Sequence, residues 1–292
     1  MSDIILSICV PTFNREKKLV RLIDSIDILE GIELVICDDG SSDNTKDIIE
    51  NHNQKIKTVY EYQENQGRGF ALKKSIEMAN GRYVIVMDSD DYFLPNALSN
   101  ICWILKTQRS FKSFVFGIKI FKKNKYIDNL PPDIEANYVS LRGDYNIKYD
   151  LKEIVRKDIL LTCLYSDDIS CRRVPTFLIW STVAEKINCL SISMPVAVKE
   201  YLTGGMTDKG FLLRMECAIP MAELYASLTH SVTYQSVYYR WLMRIMWARY
   251  AFHSKTIKYK SLWMKIVILP GFIIYLIDRL ILMNFFYRKN DD

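Results

Sequence analysis

Gly81–Phe93 reads GRYVIVMDSDDYF, and its two halves ask for opposite surroundings. Tyr83–Met87 is a short apolar run rich in β-branched residues, the pattern of a buried strand. Three carboxylates follow within four positions: Asp88, Asp90 and Asp91. Like charges at this density repel and raise one another's pKa, so a positive partner is implied.

Upstream of this stretch, apolar runs alternate with helical periodicity. Ile4–Val10 predicts a first strand, and PTFNREKKLVRLIDSI then places Leu19, Leu22, Ile23 and Ile26 at helical spacing. Glu33–Cys37 predicts a second strand. It runs into DDGSSDNTKDIIENH, whose Ser, Asp and Asn residues suit the start of a helix. Thr58–Tyr62 predicts a third strand, and NQGRGFALKKSIEMANG a loop and a helix stopping at Gly81. With Tyr83–Met87 as the fourth strand and LPNALSNICWILKTQ as the next helix, the rhythm is that of an α/β fold. A mostly parallel, Rossmann-like sheet with helices on both faces is expected.

In such sheets ligands bind beyond the carboxyl ends of the strands, where the loops into the helices gather. Pro11–Arg15, Asp38–Asn44 and Asp88–Asp91 would meet there, bringing at least four aspartates to one edge. Carboxylate oxygens suit a hard divalent cation such as Mg2+ or Mn2+. Magnesium-type ions usually take only one or two protein carboxylates, with substrate phosphates as further ligands, so a diphosphate-bearing substrate is implied. Simpler roles stay open for individual residues: DDGSSDNT as a turn and cap, Asp91 as the cap of the next helix, Arg68 as a solvated loop arginine.

After Ser113 the rhythm changes. SFVFGIKIFKKNK alternates like a strand with one solvated face, DNLPPDIEAN reads as a loop, Phe177–Ile187 as a helix and Leu190–Val198 as a strand. LTGGMTDKG is a glycine-bearing loop able to move over a ligand. The expected organisation is a globular domain over residues 1–210, with a nucleotide-binding half to about 112 and an acceptor half over 113–210, then a helical region over 211–292.

VPTFNR, VICDDGSSDNT, NQGRG and VMDSDD, in this order and spacing, resemble the nucleotide-binding half of a family 2 glycosyltransferase with the GT-A fold. The resemblance is strong over residues 4–95 and weaker over 96–210. It implies that Pro11, Thr12 and Asn14 line a nucleoside pocket, that Asp38 or Asp39 accepts hydrogen bonds from the base, and that Arg68 lies near the nucleotide. Asp88 and Asp90 match the DXD pair, Asp88 near the ribose and Asp90 on the metal, with Asp91 flanking. The implied activity moves a sugar from a nucleotide-diphosphate donor to an acceptor hydroxyl. Mn2+ or Mg2+ would stabilise the leaving diphosphate as a Lewis acid. Assembly of a bacterial surface polysaccharide, O-antigen or capsule, is the implied setting.

Inverting members of the family need a carboxylate to deprotonate the acceptor hydroxyl. In CRRVPTFLIW, Cys171–Trp180, Thr176 stands where the resemblance leads to Glu or Asp. Asp167 and Asp168 in YSDDIS, or Glu200 in VKEYLTGG, are the replacement candidates for the catalytic base, and Arg172 and Arg173 could meet an anionic acceptor. A non-catalytic nucleotide-sugar binder tethered to the membrane would also explain Thr176. VIVMDSDDYF superficially resembles the aspartate motif of haloacid-dehalogenase-type phosphohydrolases, although that motif wants Thr or Val where Tyr92 stands.

The 292 residues, 49% hydrophobic and 25% charged, allow one large domain with an appendage. The net charge of +5 is local: Val237–Asp292 holds ten Lys/Arg against three Asp, and the rest 29 basic against 31 acidic residues. That distribution argues against a nucleic-acid-binding protein and for a basic tail. Seven cysteines, with Cys9, Cys37 and Cys102 inside apolar runs, suggest reduced, buried thiols of a cytosolic protein. His52, His230 and His253 share no ligand spacing, which argues against a zinc site. The N-terminus lacks the basic region and long apolar run of a signal peptide.

In the tail, VYYRWLMRIMWARYAF sets Arg240, Arg244 and Arg249 in a helix dense in Trp, Tyr and Met, a composition suited to an anionic membrane surface. Ile266–Ile277 is uncharged but only 12 residues long, short of the about 20 needed to span. Crossing would bury Asp278 and Arg279, and Pro270–Gly271 would kink the helix. A monotopic tail on the cytoplasmic face of the inner membrane, facing a lipid-linked glycan acceptor, is expected. The alternative is a helical hairpin packed on the core.

Overall fold

The computed structural model describes residues 3–52, 56–122, 124–166, 169, 171, 174–200, 214–230, 236–255 and 262–289. Its four leading strands are Leu6–Thr12 (β1), Ile32–Asp38 (β2), Thr58–Tyr62 (β3) and Tyr83–Val86 (β4), alternating with Glu16–Asp24 (α1), Thr45–His52 (α2) and Arg68–Met78 (α3). The strands run parallel in the order β3-β2-β1-β4, with Leu6 opposite both Ile32 and Tyr83. Every residue of β1 and β2 is buried, as a strand covered on both faces requires.

Beyond β4 the sheet becomes mixed. Tyr92–Phe93 (β5) is followed by Ala97–Thr107 (α4), Ser113–Lys122 (β6), Lys125–Asn129 (β7), Glu135–Ala136 (β8), Tyr138–Gly143 (α5), Lys152–Arg156 (β9), Lys157–Leu161 (α6), Thr176–Lys186 (α7) and Cys189–Glu200 (β10). β9 lies between β4 and β6, antiparallel to both; β10 pairs parallel with β6 and antiparallel with β5. The sequence pattern does not announce β9, because KEIVR opens with two charged residues that are nonetheless buried.

The period of two along each strand sorts the core into two layers. Ile8, Val10, Leu34, Ile36 and Ile85 meet Leu19, Leu22 and Ile23 of α1, Ile49 of α2, and Leu98 and Ile101 of α4. Cys9, Val35, Val84 and Val155 face the other way, against Leu72 and Ile76 of α3, Leu141 of α5, Leu160 of α6, and Ile179 and Trp180 of α7. Helices therefore cover both faces, and truncating a core residue such as Leu22 to Ala would cost about 2–5 kcal/mol.

The C-terminal helices join this body. Ala218–His230 (α8) adds Met221, Ala222, Leu224 and Leu228 to the second layer, as does Tyr250 of Val237–Ser254 (α9). Leu262–Lys289 (α10) returns along α9 as a hairpin, the alternative arrangement for the tail. Gly271 permits the close crossing, since a Cβ there would strike the Ala248 methyl. Arg249 does not face outward as a basic amphipathic helix would have it; it turns inward and binds both oxygens of the buried Asp278 at 2.7 Å. The outer side of α10 exposes Ile266, Leu269, Ile273, Leu276, Ile277 and Leu280. No helix among the described residues is long and apolar enough to cross a membrane.

Cys9, Cys37 and Cys102 are buried free thiols, as expected. Cys171 and Cys217 correct the reduced reading: they form a disulfide with Cα atoms 5.3 Å apart. Their 46-residue separation leaves no local spacing by which a sequence could reveal the pair.

Candidate active site

The carboxyl ends of β1, β2 and β4 carry the three loops that the motifs identify. Asn14, in a left-handed conformation (φ 49°), ties the first loop to the second: its N–H donates to Ser41 Oγ, and its Oδ1 accepts from the Ser42 N–H, both at 2.8 Å. Asp38 Oδ1 accepts from the Ser41 N–H at 2.9 Å, and Oδ2 from the Tyr60 hydroxyl at 3.3 Å. Asp39 reaches sideways, accepting from Gln63 Nε2 at 2.7 Å and from the N–H groups of Gln66 and Gly67 at 2.9 Å each. Gly40 (φ +86°) allows the two loops to touch, for a Cβ there would lie 2.9 Å from the Asn65 nitrogen. The acidic turn thus caps itself and also sets the loop that launches α3, whose first residue is Arg68.

Arg68 is the hub. Its Nε donates to Asp88 Oδ1 at 3.1 Å, its Nη2 binds the same oxygen, and its Nη1 donates to Thr176 Oγ1 at 3.0 Å at the start of α7. Asp88 Oδ2 lies 3.0 Å from Lys199 Nζ, and Lys199 lies 2.8 Å from Asp150. Lys152 donates to Asp91 Oδ2 at 2.7 Å in a buried pair. The positive partners of the carboxylates are therefore, in part, side chains of the chain itself.

The electrostatics follow from this packing. Burial alone would raise the Asp88 pKa, but the charges of Arg68 and Lys199 outweigh it and hold the carboxyl well below the usual range. At Asp91 burial prevails, and the pKa is raised despite Lys152. Burial raises Glu153 as well, against the pull of Arg142.

Arg68, Asp88, Lys152, Glu153 and Lys199 open onto a cavity of about 890 Å³. Of the residues singled out in the sequence, Pro11, Thr12, Asp39, Arg68, Asp88, Asp90, Thr176 and Glu200 line it; Asn14 and Asp38 do not, and brace the loops instead. Glu200 is paired with Arg21 at 2.8 Å. Asp91 is no helix cap but the buried partner of Lys152. Asp167, Asp168, Arg172, Arg173 and the loop over 202–210 lie outside the described residues. Sequence reading passed over Lys152, Lys199, Asp150, Glu153 and Arg142, all in the lining. Their one signal is charge, which is common on any surface.

Asp88, Asp90 and Asp91 each offer an oxygen within 4.8 Å of the others. A divalent cation fits this set unevenly. Both oxygens of Asp88 are taken, one oxygen of Asp91 is buried with no hydrogen-bond partner, and Asp90 has no ion-pair partner among the described residues. Asp90, with the unpartnered oxygen of Asp91 behind it, fits an ion that completes its shell from a phosphate. Asp88, the first aspartate of the stretch that resembles a phosphohydrolase motif, is bound on both oxygens by cations.

Residues 7–125 match the family model described as Glycosyl transferase family 2. This segment is similar to glycosyltransferase family 2. An Escherichia coli relative, the UDP-Glc:alpha-D-GlcNAc-diphosphoundecaprenol beta-1,3-glucosyltransferase WfgD, is 34% identical over 116 residues, 38% of this chain and 45% of that protein. The chain spans less than half the length of the curated relatives it matches. S. aureus TarS 1-349 in complex with UDP-GlcNAc matches with a TM-score of 0.64 at 17% identity, over 91% of this chain and 79% of that one. The mannosyltransferase PcManGT of Pyrobaculum calidifontis, in complex with GDP-Man and Mn2+, matches at 0.54 and 14% identity, over 93% and 80%. At such identities the likeness establishes the fold alone, an α/β fold of the GT-A-like type.

Proposed function

We propose that the protein is an inverting glycosyltransferase that moves a sugar from a nucleoside-diphosphate donor to an acceptor hydroxyl. The observation that carries this reading is the meeting of Asp88 and Asp90 with Arg68 in one cavity, backed by the buried Asp91, within a segment similar to family 2. The nucleoside would lie against Pro11 and Thr12, on loops braced by Asn14, Asp38 and Asp39. Asp88 would stand near the ribose, and Arg68 and Asp90 beside the diphosphate. Mn2+ or Mg2+ on Asp90, with a neighbouring aspartate, would supply Lewis-acid stabilisation of the leaving group. The acceptor oxygen attacks the anomeric carbon as the bond to the diphosphate breaks, and its proton passes to a carboxylate, for which Asp167 and Asp168 remain the candidates.

A lipid-linked glycan is the acceptor class that fits best. WfgD takes a diphosphoundecaprenol-linked sugar by its name, and α10 here exposes an apolar side in a region rich in Lys and Arg. Peripheral attachment to the cytoplasmic face of the inner membrane through residues 211–292, with transfer in residues 1–210, belongs to the same proposal. So does a role in O-antigen or capsule assembly.

Thermal melting against UDP, GDP, CDP and dTDP, each with Mn2+ and with EDTA, tests the donor half. One nucleotide is expected to raise the melting temperature, with an increment from Mn2+ that disappears in Asp90→Ala. No shift with any nucleotide in either condition would end the glycosyltransferase reading.

A further inference from the structure

Lys199 reaches the aspartate cluster through strand pairing. β5 begins directly after Asp91 and pairs antiparallel with β10, setting Tyr92 opposite Val198. Lys199 is the next residue, so the pairing delivers it to the Asp88–Asp91 turn. Its side chain is 17% exposed and lines the cavity together with Arg68 and Asp90.

Burying an ammonium disfavours its charge, yet Asp88, Asp91 and Asp150 outweigh that and keep Lys199 protonated well above the ordinary lysine range. Its ion-pair partners among the described residues, Asp88 and Asp150, differ in kind. The Asp88 carboxylate is three-quarters buried and fixed from the other side by Arg68, whereas the Asp150 side chain is 53% exposed. Asp150, the more exposed of the two and not fixed by Arg68, is the partner that a competing anion in the cavity can displace.

Resting on the glycosyltransferase reading, we propose that Lys199 is a donor-binding cation: its ammonium leaves Asp150 and meets the diphosphate of the bound nucleotide, alongside Arg68. Asp88 then serves to hold the two cations in place, and the divalent ion rests on Asp90. Phosphate oxygens form short, charge-assisted hydrogen bonds with an ammonium, stronger than neutral ones. Nucleotide binding therefore survives without metal, carried by Lys199 and Arg68.

Calorimetric titration in EDTA tests this with UDP, GDP, CDP, dTDP and inorganic pyrophosphate as probes. Wild type is expected to keep measurable binding of one nucleotide and of pyrophosphate. Lys199→Met should weaken both on the order of tenfold or more, and Lys199→Arg should restore them. Asp150→Asn should tighten pyrophosphate, a gain that misfolding cannot mimic. Equal metal-free affinity in wild type and Lys199→Met would overturn the proposal, as would wild-type nucleotide binding that vanishes entirely in EDTA, although either result would leave the glycosyltransferase reading standing. Absence of nucleotide binding with and without Mn2+ would remove that reading itself.

Discussion

Asp88 and Asp278 are each held by two cationic or potentially cationic side chains, and their surroundings differ in what is left uncommitted. Asp278 accepts from Arg249 Nε and Nη2 at 2.7 Å and lies 2.9 Å from His253 Nε2, sealed between α9 and α10. Asp88 binds Arg68 and Lys199 at the wall of a cavity, beside Asp90, which has no ion-pair partner among the described residues. Both arrangements bury charge, which by itself is weak evidence for either stability or function. The Asp278 cluster is closed and joins two helices. The Asp88 cluster stops short of closure, and that incompleteness is what a ligand can use.

Breaking each cluster should therefore read out differently. Asp278→Leu strands Arg249 without its partner and is expected to cost about 3–5 kcal/mol of stability in denaturant unfolding. Nucleotide affinity measured below the transition should not change, and a parallel loss of it would join the two clusters into one unit. A smaller effect is expected at the edge of the site. Thr176→Val removes one hydrogen bond from Arg68 and should weaken nucleotide binding by about tenfold or less, with turnover retained. A fall in turnover of a thousandfold or more, roughly 4 kcal/mol, would make the hydroxyl part of the chemistry and contradict its role as a brace.

The same contrast explains what could be read in the chain without coordinates. The strand and loop of Tyr83–Asp91, and the βαβ rhythm before it, are local patterns, so the sheet edge and its aspartates were legible. Asp38 and Asp39 were legible as a pair, but only the fold separates them, one bonded within its own turn and the other to Gln63, Gln66 and Gly67. Lys152 and Lys199 reach Asp91 and Asp88, 61 and 111 residues away in sequence, through the register of β9 and β10, and no short motif encodes that. The Arg249–Asp278 pair spans 29 residues. An apolar helix with one acid suggests a membrane surface until its partner across the hairpin is seen, after which only the outer side of α10 still argues for lipid.

Sugar transfer is tested by nucleoside diphosphate release from UDP-Glc, UDP-GlcNAc and GDP-Man with Mn2+, in vesicles with and without undecaprenyl-diphosphate-linked GlcNAc. Release from one donor that rises with the acceptor, yields an elongated lipid-linked product and disappears in Asp90→Ala is the expected result. Release no greater than that of Asp90→Ala with every donor, or liberation of inorganic phosphate in its place, would contradict it.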